Sequence, residues 1–314
     1  MVEIFEEANL DGINAETLRR LAEVWPRRAT LRTNMDYAED KGCEIYDPEL
    51  PDYPLRFLPF GDHPDFLAGS EEQQHLVLTM GWLIYNERVI QVEEFVTNPT
   101  LTKLAHGVFP GTDSFAVKNS IQQTHIDETW HTYMHMLAMQ RTRESRGITN
   151  EPLYPPTVTY RELISAQAGV DQQWQKDILG LVWTVLTEVN VNAYLDLLSR
   201  DETIQPMHSL VARLHSRDES AHRSVLIEVA KIIYAKLNRA EREFFNSSIP
   251  QALDAFTAQD FRVWPLVLKR AGYRSAEEIV EESRSGADRR RLVRDAGATE
   301  RMLREMGIEL DLKF

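Results

Sequence analysis

Hydrophobic residues along most of this chain recur three and four positions apart, the spacing of one face of an α-helix. From Ser70 onward this pattern predicts four long helices, which cover residues 70–98, about 113–146, about 171–199 and about 206–237. Proline and glycine residues separate these segments, and Pro206 is placed to open the last helix. Because no strand pattern stands out, the chain is predicted to be all-α.

Shorter elements flank the four long helices. They are a short helix over residues 15–25, an irregular segment over 33–66 and a further short helix over 160–168. Near the C-terminus the pattern indicates several short helices with a charged surface. We expect one domain over residues 1–314, with its core at about 70–238 and a helical extension at about 239–314.

The composition narrows the possible partners. Of the 314 residues, 43% are hydrophobic and 27% charged, as is usual in globular proteins. Net charge is −14, from 35 basic and 49 acidic residues, which argues against nucleic acid or an anionic membrane as partner. Cys43 is the only cysteine, so a disulfide framework and a thiolate metal site are excluded. Without an apolar run of membrane-spanning length or a signal-peptide h-region, we expect a cytoplasmic protein.

The pattern Asp-Glu-x-x-His occurs twice. The first copy runs from Asp127 to His131 and the second from Asp218 to His222. Each places a glutamate and a histidine one helical turn apart on the same face. A single such pair is a weak signal, because helical proteins contain Glu-x-x-His pairs by chance. Two copies on two long helices favour a metal site.

Two further glutamates are predicted to complete this set. Bundles with a dinuclear iron or manganese centre combine two Glu-x-x-His pairs with one glutamate from each of two other helices. The candidates are Glu93 and Glu188. Glu188 lies 13 residues before Asp201 and Glu219 lies 13 after Pro206, so both lie roughly 20 Å from the turn joining their helices. The chain is therefore predicted to form a ferritin-like four-helix bundle with additional N- and C-terminal helices.

The first helical hairpin is less regular than the second. Glu128 lies 14 residues beyond Ser114, whereas Glu93 lies only 5 before Asn98. The two glutamates can meet only if residues 99–106 continue the helix, and we expect a kink at Pro99.

Each predicted ligand has an expected role. Glu128 and Glu219 are expected to bridge two ions, because hard carboxylate oxygens suit such centres. The expected terminal ligands are His131, His222, Glu93 and Glu188. Asp127 and Asp218 are each expected to accept a hydrogen bond from the far N–H of the histidine on the opposite helix. This hydrogen bond would orient the imidazole.

A third histidine could also bind metal. His215 lies four residues before Glu219, on the same helical face. His125 and His135 compete by spacing alone, since each lies within a turn of Glu128 or His131. Spacing does not choose among these three histidines, and for any one of them a place in the core or beside the ligands is the simpler interpretation.

Several longer runs extend the match beyond the ligands. They are Tyr85–Ile90, His106–Gly111, His131–Leu137 and Ile204–Ser209. With the ligand set, these runs resemble the p-aminobenzoate N-oxygenase (AurF-type) family of diiron oxygenases, over about residues 12 to 310. The resemblance implies seven protein ligands, with His215 as the third histidine.

The resemblance also implies an activity. Members of this family use oxygen and two iron ions to convert an aromatic amine, such as p-aminobenzoate, to the hydroxylamine and on to the nitro compound, as in antibiotic biosynthesis. Manganese accepts the same ligands and could substitute for iron. An external electron donor is expected, because the chain carries no flavin or dinucleotide fingerprint. A homodimer is likewise implied by the family alone.

Three residues are predicted to bind the substrate. Arg88 and Tyr85 lie three residues apart, beside the predicted metal face, and a guanidinium with a phenol suits a carboxylate. Spacing alone equally allows Arg88 to form a salt bridge with Glu87 or Glu94, whereas the family resemblance favours the pocket. Asn192, one turn beyond Glu188, is predicted to line the same pocket.

Two other functions fit the ligand motifs. A diiron enzyme that hydroxylates or desaturates a carbon chain would carry a long apolar channel and usually manages with two histidines. An iron-storage or ferroxidase protein would be a smaller bundle without the extra segments at both ends of this chain.

Overall fold

The computed structural model describes residues 9–32, 46–149, 154–286 and 296–312, so Cys43 lies outside the described residues. These residues form helices and connecting turns, and no strand occurs among them. The helices are α1 (Asn9–Arg28), α2 (Pro64–Leu67), α3 (Glu71–Val92), α4 (Asn98–Ala105), α5 (Phe115–Arg146), α6 (Val158–Ala168), α7 (Gln173–Asn190), α8 (Asn192–Ser199), α9 (Pro206–Lys236), α10 (Arg239–Thr257), α11 (Trp264–Arg270), α12 (Ala276–Ser285) and α13 (Gly297–Glu305). The predicted all-α class is confirmed.

Four helical rods form the core, as a ferritin-like bundle requires. The first rod is α3 with α4, the second α5, the third α7 with α8, and the fourth α9; α5 contacts α3 and α9, and α9 contacts α7. Buried apolar side chains fill the space between them in two large clusters. Burial of this apolar surface is the main stabilising contribution to such a fold.

Local signals in the sequence set the ends of the long helices. Ser70 caps α3 through a capping box with Gln73, and Ser114 caps α5 by accepting the N–H of Val117 at 3.3 Å. Gly147 ends α5 with φ of 65°, a left-handed conformation that suits glycine. Pro206 lies in the first turn of α9, where a missing N–H costs nothing. The predicted bounds of α5 and α9 are confirmed.

The expected kink at Pro99 is wrong. The chain does remain helical after residue 98, but the irregularity comes earlier, as a π-helical turn over Glu93–Thr97. The N–H of Asn98 bonds to the carbonyl of Glu93, five residues back. Pro99 lies in the first turn of α4, where proline is tolerated, so it causes no kink there.

The third rod is also interrupted, where the sequence predicts one helix over 171–199. Val191 separates α7 from α8. By length and mean hydropathy the span Gln173–Ser199 could cross a membrane, contrary to the expectation that no run qualifies. However, 89% of its most apolar window is buried inside the protein, because the first and fourth rods, α6 and α10 pack against it. It is the central core helix of the bundle.

The terminal helices cover the bundle. Helix α1, longer than the predicted 15–25, packs across α5 and α9, and α10 lies along α7 and α6. Residues 46–66 form turns with two short helical segments, as the predicted irregular segment suggests; residues 33–45 lie outside the described residues. The C-terminal segment therefore does not form a separate unit, since its first helix belongs to the packed body.

Candidate metal centre

Seven side chains converge between the four rods, and these are the seven that the sequence and the family resemblance single out. The first and third rods contribute one glutamate each, α5 contributes a glutamate and a histidine, and α9 contributes the remaining three. None is more than 3% exposed: Glu93, Glu128, His131, Glu188, His215, Glu219 and His222. The interior of the bundle thus encloses four carboxylates and three imidazoles.

One half of this group contains Glu93, His131 and His215. The Nε2 atom of His215 lies 3.3 Å from Oε1 of Glu93 and 3.1 Å from Oε1 of Glu219. The Nδ1 atom of His131 lies 3.3 Å from the same Glu219 oxygen. The imidazole rings of His131 and His215 have centroids 4.2 Å apart.

The other half contains Glu128, Glu188 and His222. The Nδ1 atom of His222 lies 2.7 Å from Oε1 of Glu128 and 3.2 Å from Oε1 of Glu219. Glu188 accepts a hydrogen bond from Thr97 at 3.1 Å and lines the same cavity. Because Glu219 contacts histidines of both halves, it lies where a bridging carboxylate would lie.

The two aspartates that precede the motif glutamates contact the histidines from the other side. Nε2 of His131 lies 3.2 Å from Oδ2 of Asp218, and Nε2 of His222 lies 3.0 Å from Oδ2 of Asp127. Each of these bonds crosses from one helix to the other, between α5 and α9. A carboxylate accepts, so each Nε2 donates and each Nδ1 faces the glutamates.

The donor set fits metal ions because most of its carboxylate oxygens have no hydrogen-bond donor besides the histidines of the centre. Within the described part of the chain, this holds for five buried oxygens: Glu93 Oε1, both oxygens of Glu128, Glu188 Oε2 and Glu219 Oε2. Unpaired buried polar atoms are costly, and buried carboxylates are more so. Oxygen and imidazole ligands suit iron, manganese and related divalent ions, and these ions would satisfy the unpaired atoms.

Without metal, the carboxyl groups of the centre differ in the direction in which their pKa values are shifted. Burial, together with the charge of Glu128, raises the pKa of Glu93 well above its ordinary value. Burial and the charges of Glu128 and Glu219 do the same to the pKa of Glu188. Burial alone would also raise the pKa of Glu219, but its contacts with three histidines outweigh this and hold that pKa well below its ordinary value.

The two motif histidines compensate the central carboxylates. Burial disfavours the imidazolium form, yet the surrounding carboxylates hold the pKa of His131 and of His222 well above the ordinary value. Without metal, the charges of Glu128 and Glu219 thus favour the imidazolium form of both histidines. A metal ion bound there would compete with those protons.

Helix α1 and the turn after it add a layer that sequence reasoning missed. The indole Nε1 of Trp25 donates to both Asp127 oxygens at 3.0 Å. The Arg28 guanidinium lies 3.4 Å from Asp127 and 3.3 Å from Asp218, and the N–H of Thr30 lies 3.2 Å from both Asp218 oxygens. No motif marks these residues, since their partners are about 100 and 190 positions away.

An apolar cavity adjoins the ligands. Apart from the glutamates and His215, it is lined chiefly by aliphatic and aromatic side chains, among them Val89, Val92, Val191, Leu195 and Phe256. Tyr85 and Tyr194 line this cavity and also a second one that adjoins it. Apolar cavities with a few polar groups are typical binding sites for small organic molecules.

Tyr85 and Arg88 lie at the junction of these two cavities. The Tyr85 hydroxyl is buried and has no hydrogen-bond partner within the described residues. Among the described residues, Arg88 makes no ion pair with Glu87. Its guanidinium donates to the backbone carbonyls of Phe256 and Ala258, at the C-terminal end of α10. Burial lowers the pKa of Arg88. Both residues line the cavity, and their role in binding a substrate stays a prediction.

Asn192 lies elsewhere, contrary to its predicted place in the pocket. Its Oδ1 accepts a hydrogen bond from the Ser216 hydroxyl at 3.0 Å, and its Nδ2 lies 3.5 Å from Ser220 Oγ. It does not line the cavity beside the ligands. Val191 keeps helical dihedral angles, with φ of −59° and ψ of −36°, so the cavity face of this rod continues from Glu188 through Val191 and Leu195. Asn192 lies beside that face, toward Ser216 on α9.

His125 and His135, which spacing left as alternatives to His215, lie in different surroundings. His135 is fully buried and reaches the centre, because its Nε2 lies 2.9 Å from Nδ1 of His215. Burial, together with the nearby His215 and His131, lowers the pKa of His135 well below its ordinary value. His125, by contrast, is partly exposed. His208 stacks on Trp82 with ring centroids 3.9 Å apart and contacts none of the seven residues.

Comparison with known proteins agrees with this geometry. The family model described as P-aminobenzoate N-oxygenase AurF matches residues 13–307. The 4-aminobenzoate N-oxygenase of Streptomyces thioluteus is 46% identical over 304 residues, which cover 97% of this chain and 90% of that protein. A match of this extent includes all four rods, α1 and the C-terminal helices.

Proposed function

The chain belongs to the P-aminobenzoate N-oxygenase AurF family, and from this membership we propose that it is a diiron N-oxygenase. Its substrate is an aromatic amine of the p-aminobenzoate type, which it oxidises through the hydroxylamine to the nitro compound with O₂. The observation that carries the proposal is the group of unpaired glutamate oxygens at the wall of an apolar cavity.

Iron, when bound, supplies the activation of dioxygen. Glu93, His131 and His215 would hold one ion, and Glu188 and His222 the other. Glu128 lies 2.7 Å from His222 and 3.6 Å from His131, so it would contribute to both ions, as would Glu219. Manganese is the alternative metal, since the donor atoms suit both.

The chain's own part is to orient the amine and to keep water away. Arg88 and Tyr85 line the same cavity as the glutamates, and the Tyr85 hydroxyl has no hydrogen-bond partner among the described residues. Their guanidinium and phenol would bind the carboxylate of the substrate. An amine para to that carboxylate would then point toward Glu93 and Glu128, with the ring among the aliphatic side chains of the cavity.

The two other functions considered from the sequence are not favoured. A carrier-bound acyl chain would need a long apolar channel, whereas a guanidinium, that of Arg88, lies among the residues that line this cavity. Iron storage would not need an apolar cavity lined by a guanidinium. The family match to an N-oxygenase also argues against both.

The direct test is turnover of an arylamine. Purified protein is loaded with ferrous iron without air, then mixed with p-aminobenzoate, O₂ and a chemical reductant that stands in for the external electron donor. We expect p-hydroxylaminobenzoate first and p-nitrobenzoate later, both measured by liquid chromatography with mass spectrometry. Aniline serves as the matched substrate without a carboxylate and should react more slowly. If neither these amines nor other arylamines yield an N-oxygenated product, the proposed function is wrong.

A further inference from the structure

The third histidine of the centre differs from the other two in what lies behind it. His131 and His222 each contact an aspartate, whereas Nδ1 of His215 lies 2.9 Å from Nε2 of His135. His135 in turn places its Nδ1 2.6 Å from Oδ1 of Asn86. Both Asn86 and His135 are fully buried, so no solvent competes for these bonds.

The direction of this hydrogen-bond chain is set at its far end. The Asn86 amide nitrogen lies 2.6 Å from the backbone carbonyl of Trp82. A carbonyl can only accept, so the amide must present its NH₂ group to Trp82 and its oxygen to His135. The Nδ1 of His135 must therefore carry the hydrogen that Asn86 accepts.

The rest of the chain follows from the chemistry of imidazole. A neutral imidazole has one N–H, so with its hydrogen on Nδ1 His135 accepts at Nε2. Nδ1 of His215 then donates, and Nε2 of His215 keeps its lone pair. That lone pair points toward Glu93 and Glu219, at 3.3 and 3.1 Å, where a metal ion would lie.

We propose that Asn86 and His135 are positioning residues that hold His215 in the tautomer that binds metal. This inference rests on the proposed metal centre. They do for His215 what Asp127 and Asp218 do for the two other histidines, but without adding a negative charge. The centre already holds four carboxylates, and a neutral relay orients the seventh ligand without further charge repulsion.

The test is anaerobic titration of metal-free protein with ferrous iron, in competition with a chelator. In His135→Leu, His215 loses its acceptor, so we expect one of the two ions to bind roughly 10- to 100-fold more weakly. The other ion should bind as in the wild type. His135→Gln should recover most of the affinity, because the glutamine oxygen can accept from His215. Met139→Leu, one turn further along α5, is the buried control.

The outcomes separate this proposal from its rivals. If His135→Leu binds both ions normally, the relay is wrong; if His135→Gln is as defective as His135→Leu, His135 itself binds the metal and the relay is again wrong. Asn86→Leu breaks the same chain from its other end and should weaken the same ion, which keeps the test open if His135→Leu does not fold. A wild type that binds no ferrous iron would instead overturn the proposed metal centre.

Discussion

His222 on α9 donates to Asp127 on α5 across 3.0 Å, so the ligand of one helix is oriented by a carboxylate of the other. Asp127→Asn would keep the shape of the side chain but remove the charge that favours the donating Nε2–H. We expect roughly 10- to 100-fold weaker iron binding in chelator competition. Asp177→Asn makes the same chemical change at an ion pair with Lys103, away from the centre, and should leave the affinity unchanged. Equal affinities in the two variants would contradict the orienting role.

Arg28 joins the two aspartates from the outside, and its side chain is 22% exposed. Arg28→Gln should weaken iron binding in the same direction as Asp127→Asn but by less, because solvent screens a partly exposed charge. Arg27→Gln removes the neighbouring, exposed charge and serves as the control. An effect of equal size in both variants would point to net charge instead of the contact with the aspartates.

Glu188 is expected to have opposite effects with and without metal. Burial and the charges of Glu128 and Glu219 raise its pKa well above the ordinary value, so this environment disfavours the carboxylate and destabilises the metal-free protein. Glu188→Gln removes this cost, so the metal-free variant should need more urea to unfold than the metal-free wild type. With iron bound the order should reverse, because the variant lacks a ligand. If the variant were more stable than the wild type both with and without iron, Glu188 would not be a ligand.

Because His208 is buried, we expect it to make the free energy of unfolding depend on pH. Burial lowers its pKa from 6.5 to about 4. The unfolded chain therefore binds a proton more readily than the folded one, and stability falls as the pH drops from 6.5 toward 4. The loss attributable to His208 is at most about 3 kcal/mol.

His208→Gln should make the free energy of unfolding less dependent on pH between 7 and 5, as measured by urea titration at both values. His106→Gln, an exposed position, is the control and should retain the wild-type difference. If the His208 variant loses as much stability on acidification as the wild type, the neutral state of this histidine is not what sets the pH dependence.

Arg88 should affect substrate binding more than turnover. Arg88→Lys keeps a positive charge but loses the planar fork that can bind a carboxylate with two hydrogen bonds. We expect KM for p-aminobenzoate to rise about tenfold. The kcat for p-aminobenzoate and the KM for aniline should change little. Tyr85→Phe should act in the same direction with a smaller effect. A fall in kcat for both substrates would place Arg88 in a structural role at the end of α10.

Six of the seven proposed ligands could be predicted from the spacing of residues because helices repeat, whereas His215 came from the family resemblance. Once residues 113–146 and 206–237 are helical, Glu128 must share a face with His131, and Glu219 with His222. The equal distances of Glu188 and Glu219 from one turn give their common height. The position of Glu93 was less certain, because the π-helical turn that begins at this residue leaves no clear signal in the sequence.

Only the tertiary structure decided the contacts that depend on packing between distant segments. Trp25 and Arg28 meet the aspartates because α1 lies across α5 and α9, and nothing in the local sequence specifies that crossing. His135 is a hydrogen-bond partner of His215 because α5 and α9 bring Nε2 of His135 within 2.9 Å of Nδ1 of His215. Spacing alone had left His135 as an alternative to His215 for the third histidine ligand. Asn192 was misplaced because Val191 and Leu195 carry the cavity face of this rod, whereas Asn192 turns toward Ser216 on α9. Periodicity determines which face a residue occupies within one helix, but the relation between helices depends on how whole surfaces fit together.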